Sequence, residues 1–237
     1  MPSAFKYLMW DFDGTLAHRP GQWTDTVLSV LRQAGLAAGV DREVVRPFMN
    51  TGFPWHKPEV IRSANQAADD WWQGLEPVFA RAFLEVGRVS KEQALTLARQ
   101  VRPTYLDPAV WFVFDDVVPT LRRLKDLEWR HVVLSNHVPE LPQLVADLGL
   151  TTYFEAVYSS AATGVEKPNP EAFRRARATL PADARVWMVG DSVDADMGAE
   201  AAGISAILVR SNSGHSRCCS NLAGVIEILE SDDPEPV

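Results

Sequence analysis

The sequence is poor in cysteine and in net positive charge, and each shortage excludes a class of protein. Cys218 and Cys219 are the only cysteines among 237 residues. Because they are adjacent, they cannot close a long loop, so a disulfide framework is excluded and a compartment that keeps thiols reduced is expected. Lys and Arg number 23 against 31 Asp and Glu, which gives a net charge of −8. This balance argues against binding nucleic acid through its phosphate backbone.

Long apolar runs are also lacking. No segment approaches about 18 consecutive apolar residues, so no membrane span is expected. The first residues, MPSAFKYLMWDFDG, contain no apolar run of signal-peptide length. Hydrophobic residues still make up 46% of the chain, an ordinary globular fraction. We therefore expect a globular, cytoplasmic protein with a sizeable core.

Short apolar runs predict buried strands of a parallel sheet, because each is bounded by polar or glycine-containing turns. These runs are Tyr7–Trp10, His131–Leu134, Ala156–Tyr158, Val186–Val189 and Ala206–Val209. Helix-length segments lie between most of them, including Val118–Glu128 and Glu171–Leu180. Alternation of this kind predicts the α/β class.

One interval departs from the alternation and has a helical pattern throughout. Thr24 is placed to cap a first helix, and Pro58 to begin a second that runs to about Trp72. Ser90 and Gln93 form a capping box for a third helix, and the pattern breaks after Arg102. We predict a helical domain at residues 17–112 inserted into an α/β domain made of residues 1–16 and 113–237.

The strongest local motif is Asp11-Phe-Asp-Gly-Thr-Leu16, which follows the first predicted strand directly. Ligands of open parallel sheets bind at the carboxyl ends of the strands. Asp11 and Asp13, two residues apart, leave the strand on the same side, and Gly14 permits a sharp turn after them. An ordinary strand followed by an Asp-Gly turn explains the motif equally well when it is taken alone.

Three more polar motifs follow other predicted strands. Ser135 and Asn136 end the second strand, Lys167 precedes the rigid turn Pro-Asn-Pro170, and Asp191 and Asp196 follow the fourth strand. Singly, these are a turn residue, a surface charge and a helix cap. Together, their positions at strand ends indicate one shared site.

In this order, the four motifs resemble the haloacid dehalogenase superfamily, whose members are mostly Mg²⁺-dependent phosphohydrolases. The resemblance implies a Rossmann-like parallel sheet with helices on both faces and an all-helical cap domain inserted after the first strand. It covers residues 5–16 and about 115–210.

The resemblance also implies roles for the motif residues. Asp11 would be the nucleophile, forming an aspartyl-phosphate that water hydrolyses, and Asp13 the general acid and base. Ser135, Asn136 and Lys167 would bind the phosphoryl group, with Lys167 offsetting charge on both phosphate and Asp11.

A Mg²⁺ site is implied by the same resemblance. Its ligands would be Asp11, the backbone carbonyl of Asp13, and Asp191, with Asp196 as a further ligand or an orienting group. Hard oxygen ligands suit Mg²⁺. Like charges about 4 Å apart at an effective dielectric of 20 repel by roughly 4 kcal/mol, so a carboxylate cluster itself argues for a cation.

The expected substrate is a small phosphorylated metabolite, with no nucleic acid or membrane partner, and the expected state is a monomer or homodimer. A phosphomutase, a haloacid dehalogenase and a non-catalytic binding protein remain alternatives. The related dehalogenases typically carry tyrosine where this chain has Asp13, which favours phosphate chemistry. Polar and aromatic residues of the insertion are candidates for substrate selection: His18, Arg19, Trp23, Trp55, His56, Arg62, Trp71 and Trp72, the last two being interpreted mainly as packing residues.

Overall fold

The computed structural model describes residues 5–211 and 213–232. In chain order, the strands within these ranges are β1 Lys6–Trp10, β2 Ala17–His18, β3 Phe112–Val113, β4 Trp129–Ser135, β5 Ala156–Ser159, β6 Arg185–Gly190, β7 Ser205–Val209 and β8 Cys218–Cys219. The α-helices are α1 Gln22–Gln33, α2 Arg42–Met49, α3 Ala68–Gly87, α4 Lys91–Leu106, α5 Val117–Asp126, α6 Leu141–Asp147, α7 Ser160–Thr163, α8 Pro170–Ala178, α9 Val193–Asp196 and α10 Ala223–Ser231.

Six of the strands form one parallel sheet in the order β5-β4-β1-β6-β7-β8. Strand β1 is central, and its last residue, Trp10, pairs with Val133 of β4 and Val189 of β6. Residues that follow β1, β4 and β6 therefore emerge at the same edge. The predicted α/β class and Rossmann-like sheet are confirmed.

All five predicted strands are present, each within one or two residues of its expected ends. Four of them were recognisable because nearly all their side chains are buried, as in a covered parallel sheet, whereas β5, at the sheet edge, is mostly half-buried. The two-residue strands β2, β3 and β8 were not predicted, since segments so short leave no periodic pattern.

The core against one face of the sheet is built from β1, β4 and β6 together with helix α8. Met9, Val132 and Met188 belong to the same buried cluster as Phe173 of α8. Gly198 follows α9, and a Cβ there would lie 2.4 Å from the Pro168 carbonyl oxygen. A small residue at this position thus permits close packing of the segment after α9 against Pro168.

The chain divides into two compact units. The sheet unit contains the described residues up to His18, the segment Pro58–Asn65 and the described residues from Phe112 onward; the helical unit contains Arg19–Lys57 and Gln66–Trp111. Within the described ranges, no helix combines the length and apolar character needed to cross a bilayer.

The helical unit packs α1 to α4 around aromatic side chains. The Trp23 ring stacks on Tyr105, with centroids 4.0 Å apart and planes 4° from parallel. Trp71 and Trp72 are buried, as their interpretation as packing residues required. The capping box of Ser90 and Gln93 is present at the start of α4.

Three expectations for helix boundaries were wrong. Helix α1 begins before Thr24, after a left-handed Gly21. No helix begins at Pro58, because the amides of Arg62 and Asn65 instead donate to the carbonyls of Gly164 and Ala162. Helix α4 does not end at Arg102 but continues through Pro103 to Leu106.

Candidate active site

The acidic loop, residues Asp11–Leu16, leaves the central strand at the sheet edge. The Asp11 amide donates to the Val189 carbonyl (2.8 Å), which extends the sheet contact by one residue. Three successive amides, those of Thr15, Leu16 and Ala17, converge on the Phe12 carbonyl. The loop is therefore a tight turn that holds the Asp11 side chain, 7% exposed, beside the ends of β4 and β6.

Lys167 lies at the centre of the candidate site and is buried (2% exposed). Its Nζ is 2.9 Å from Asp11 Oδ1 and also forms an ion pair with Asp196. Burial alone would lower the pKa of Lys167, but the carboxylates of Asp11 and Asp196 raise it. The lysine is therefore held as a cation between two carboxylates.

Asp191 faces the acidic loop from the end of β6. Its Oδ1 accepts a hydrogen bond from the Thr15 hydroxyl (3.2 Å). Gly14, with φ +87°, lies so close that a Cβ there would be 2.4 Å from Asp191 Oδ2. Glycine at this position thus serves both the turn and the approach of the third carboxylate.

Asp196 is fully buried and both of its oxygens are engaged. Oδ1 accepts from the Lys167 ammonium, and Oδ2 accepts from the Ser192 amide (3.0 Å). A Cβ on Gly190 would lie 2.1 Å from Oδ2, so only glycine fits against this carboxylate. This geometry fixes Asp196 as a rigid support for Lys167.

Asn136 clamps the main chain of Lys167. Its Nδ2 donates to the Lys167 carbonyl (2.8 Å), and its Oδ1 accepts from the Lys167 amide (2.7 Å). Each end of the side-chain amide therefore has a hydrogen bond to the main chain of Lys167. Ser135 is buried at the end of β4, next to this clamp.

The burial of several carboxylates together opposes their ionisation. Burial, followed by the charge of Asp11, raises the pKa of Asp191 to about 6. Burial also raises the pKa of Asp196, to about 7, with Asp11 adding to the increase and Lys167 opposing it. A cluster in which one lysine offsets three carboxylates has a deficit of positive charge.

The donor set fits a divalent cation. Asp11, Asp191 and Asp196 each offer an oxygen, and these atoms lie within 4.8 Å of one another. Oxygen ligands of an octahedral Mg²⁺ at about 2.1 Å are about 3 to 4 Å apart, so the spacing is suitable. Hard carboxylate oxygens are also the donors that Mg²⁺ prefers.

The remaining predicted site residue, Asp13, is half-buried and forms an isolated bridge with Ala17 in the same loop. The structure thus brings Asp11, Lys167, Asp191 and Asp196 together, with Asp13, Ser135 and Asn136 on adjoining segments. Sequence reasoning assigned no role to Thr15, although it stands inside the acidic motif.

A segment of the insertion belongs to the sheet unit and was also missed. Pro58–Asn65 docks on the loop before α8 through the Arg62 amide and Gly164 carbonyl (2.8 Å) and the Asn169 side chain and Pro58 carbonyl (2.9 Å). The buried Glu166 carboxylate faces Arg62 at 3.9 Å, and burial raises its pKa. Because these contacts join parts of the chain that are distant in sequence, no local sequence pattern predicts them.

His137, the residue after Asn136, is buried against Phe12, with ring centroids 5.5 Å apart. Burial lowers the pKa of His137 to about 4, despite the opposing charge of Asp11, so the ring is neutral. His18 stacks on Phe112 and lies tilted against Phe114, with ring centroids 4.8 Å apart, and Arg19 is buried in the helical unit.

Comparison with known proteins decides the family. The model of haloacid dehalogenase-like hydrolases matches residues 5–203, which is most of the chain. The chain belongs to the haloacid dehalogenase-like hydrolase family. This confirms the resemblance drawn from the four motifs, all of which lie within the matched range.

Curated relatives of two kinds illustrate the similarity. The mouse haloacid dehalogenase-like hydrolase domain-containing protein 3 is 32% identical over 64% of this chain and 60% of its own length. The bovine and human counterparts match over 55% and 41% of their lengths, so the chain spans about half the length of these relatives. A phosphoglycolate phosphatase from Rhodobacter capsulatus is 27% identical over 79% of this chain and 77% of its own.

Solved structures support the fold. The HAD-hydrolase YfnB from Bacillus subtilis, described as bound to magnesium, superposes with a TM-score of 0.70 at 16% identity. The match covers 95% of this chain and 98% of that one. At 16% identity, this structural similarity is evidence for the fold alone.

Proposed function

We propose that this protein is a Mg²⁺-dependent phosphohydrolase that cleaves a small phosphomonoester through an aspartyl-phosphate on Asp11. The observation that carries the proposal is the buried contact of Lys167 with Asp11 and Asp196, with Asp191 alongside. Phosphoryl transfer requires mainly positioning and charge neutralisation. The site provides a fixed carboxylate nucleophile beside a fixed cation.

In the first step, an Asp11 oxygen attacks phosphorus, and the bond from phosphorus to the leaving oxygen breaks. Asp13, two residues along the same turn, donates a proton to that oxygen. Lys167 stabilises the negative charge on the phosphoryl oxygens, and Ser135 donates its hydroxyl hydrogen to one of them. Asp11 and Asp13 are supplied by the loop after β1, Ser135 by the end of β4, and Lys167 by the loop between α7 and α8.

In the second step, water attacks the phosphorus of the aspartyl-phosphate while Asp13 accepts its proton. The Asp11 carboxylate and inorganic phosphate are released. A bound Mg²⁺ would supply charge neutralisation for the phosphate and the carboxylates. We assign its side-chain ligands to Asp11 and Asp191, and its main-chain ligand to the Asp13 carbonyl.

Asp196 and Asn136 have narrower roles in this proposal than the motifs alone suggest. Both Asp196 oxygens and both ends of the Asn136 amide are engaged around Lys167. We therefore propose that both residues position the lysine. A phosphatase named for phosphoglycolate among the relatives supports small phosphorylated acids as the first substrates to test.

Hydrolysis of an aryl phosphate and of phosphoglycolate with and without Mg²⁺ tests the function. Asp11→Asn and Asp13→Asn should each reduce kcat by at least about a hundredfold, because nucleophile and proton donor are lost. Asp194→Asn is the matched control, since Asp194 is an exposed carboxylate on the same short helix as Asp196. It should retain wild-type activity.

Hydrolysis that survives Asp11→Asn would contradict the proposal. Halide release from a haloacid without metal would favour the dehalogenase alternative, and an isomerised sugar phosphate would favour the mutase. Absence of turnover across a broad phosphoester panel would favour a binding protein.

A further inference from the structure

Arg210 has a left-handed backbone conformation, and its side chain makes several contacts. It follows β7 with φ +54°, in the left-handed region. For a residue other than glycine, this conformation costs about 1–2 kcal/mol. A long side chain held in such a conformation requires compensating contacts, and Arg210 has three.

The first two contacts bind the linker Phe112–Asp116, through which the chain returns from the insertion. The guanidinium carbon of Arg210 lies 3.8 Å from the centroid of the Phe114 ring. Its Nη2 forms an ion pair with Asp116, whose other carboxylate oxygen accepts from the Leu222 amide (2.9 Å). Although burial opposes it, the hydrogen bond from Arg210 lowers the pKa of Asp116.

The third contact reaches the acidic loop. Arg210 Nε donates to the Thr15 carbonyl at 3.4 Å, and the Thr15 hydroxyl donates to Asp191. The linker and the loop also meet directly, since the Phe114 amide donates to the Leu16 carbonyl (3.2 Å). One side chain thus joins the return linker to the turn that orients the third carboxylate.

We propose that Arg210 is a positioning residue that fixes the acidic loop and the return linker as one unit. Through Thr15 it sets the orientation of Asp191, without itself touching the substrate. The planar guanidinium suits this role, because it stacks on a ring and donates in several directions at once, which an ammonium does not. The expected effect on turnover rests on the proposed phosphohydrolase function. The role of Arg210 in joining the acidic loop to the return linker does not depend on that function.

Arg210→Gly is the sharpest variant. Glycine adopts the left-handed backbone without penalty, so the substitution removes the side-chain contacts while relieving strain. Arg217→Ala is the matched control, because Arg217 also lies over an aromatic ring (Trp187, 5.1 Å) and pairs with a carboxylate (Asp232, 3.2 Å).

Amide hydrogen exchange and steady-state kinetics are measured on the full chain. In Arg210→Gly, the amides of Thr15, Leu16, Ala17 and Phe114 should exchange at least about tenfold faster, because their turn is no longer tied to the linker. We expect kcat to fall about ten- to a hundredfold with KM changed less than about threefold, since a displaced carboxylate affects chemistry more than binding. Arg217→Ala should change neither.

Unchanged exchange at these amides in Arg210→Gly would overturn the inference. A loss of kcat without faster exchange would also overturn it, since Arg210 would then act on the substrate directly. If Arg210→Gly does not fold, Arg210→Lys keeps the charge and is measured in the same way. If the wild type hydrolyses no phosphoester, the proposed function fails, and the exchange rates alone decide the role of Arg210.

Discussion

At the scale of single residues, the candidate site combines buried carboxylates, which destabilise the fold, with groups that offset their charge. Asp191 lies close to Gly14, and the charge of Asp11 opposes its ionisation. The Thr15 hydroxyl donates one hydrogen bond to it. Lys167 compensates for Asp11 and Asp196 through direct ion pairs. We therefore expect a bound cation to have its largest effect on Asp191.

Asp191→Asn should make the metal-free protein more stable and inactive. Because the pKa of Asp191 is raised to about 6, its carboxylate is ionised at pH 8 at a cost to folding that the unfolded chain does not have, so a neutral amide should add about 1–3 kcal/mol to the free energy of unfolding. Denaturant unfolding with and without Mg²⁺ provides the measurement. Mg²⁺ should stabilise the wild type but not this variant; equal stabilisation of both would exclude Asp191 as a ligand.

The sequence predicted the candidate site residues better than it predicted their hydrogen-bond partners. Asp11, Lys167, Asp191 and Asp196 do converge, because parallel strands deliver their carboxyl ends to one edge. The engagement of Asn136 with Lys167 and of Arg210 with Thr15 was not predictable. These contacts join positions 31 and 195 residues apart, and depend on side-chain directions that no local pattern encodes.

At the scale of elements, buried apolar runs identified the strands, whereas tertiary hydrogen bonds overrode local signals in the insertion. Pro58 is a plausible first helical residue, yet Pro58–Asn65 uses its amides and carbonyls to dock on the loop that carries Lys167. Pro103 is accommodated inside α4, where the pattern predicted a break. Short strands such as β8 are defined by their backbone pairing with a neighbouring strand and have no sequence pattern of their own.

Gly164→Ala should release the docked segment. A Cβ on Gly164 would lie 2.4 Å from the Arg62 carbonyl oxygen, whereas a Cβ on Gly203, with a similar left-handed backbone, meets nothing within 4 Å. Both alanine variants should lose about 1 kcal/mol through backbone strain. Only Gly164→Ala should accelerate hydrogen exchange at the Arg62 and Asn65 amides, and equal exchange in the two variants would contradict the docking role.

At the scale of the whole molecule, the core of the sheet unit contains an uncharged histidine. Trp10 Nε1 donates to His131 Nδ1 (3.1 Å), so the protonated His131 Nε2 donates to the Leu121 carbonyl (3.2 Å). Burial lowers the pKa of His131 to about 4. Protonation of this ring would break the bond from Trp10 and place a charge in the core.

Stability should therefore decrease as the solution becomes acidic. Between pH 6.5 and 4, the unfolded chain binds a proton at His131 that the folded chain does not, so the free energy of unfolding falls as pH falls, by about 3 kcal/mol for this residue. His131→Gln keeps a donor and an acceptor but does not titrate. Urea unfolding across this range should show a shallower slope for the variant; parallel slopes would contradict the assignment.

The proposed function depends above all on the phosphorylation of Asp11. Asp13→Asn should slow the attack of water more than it slows phosphoenzyme formation from an aryl phosphate, because an aryloxide leaves without being protonated. The phosphoenzyme should therefore accumulate after this variant is mixed with Mg²⁺ and an aryl phosphate. Acid quenching followed by peptide mass spectrometry then locates the added group. We predict one phosphoryl group on the peptide that contains Asp11, absent when Asp11→Asn is added. Turnover with no adduct on Asp11, or with the adduct on another residue, would exclude Asp11 as the nucleophile.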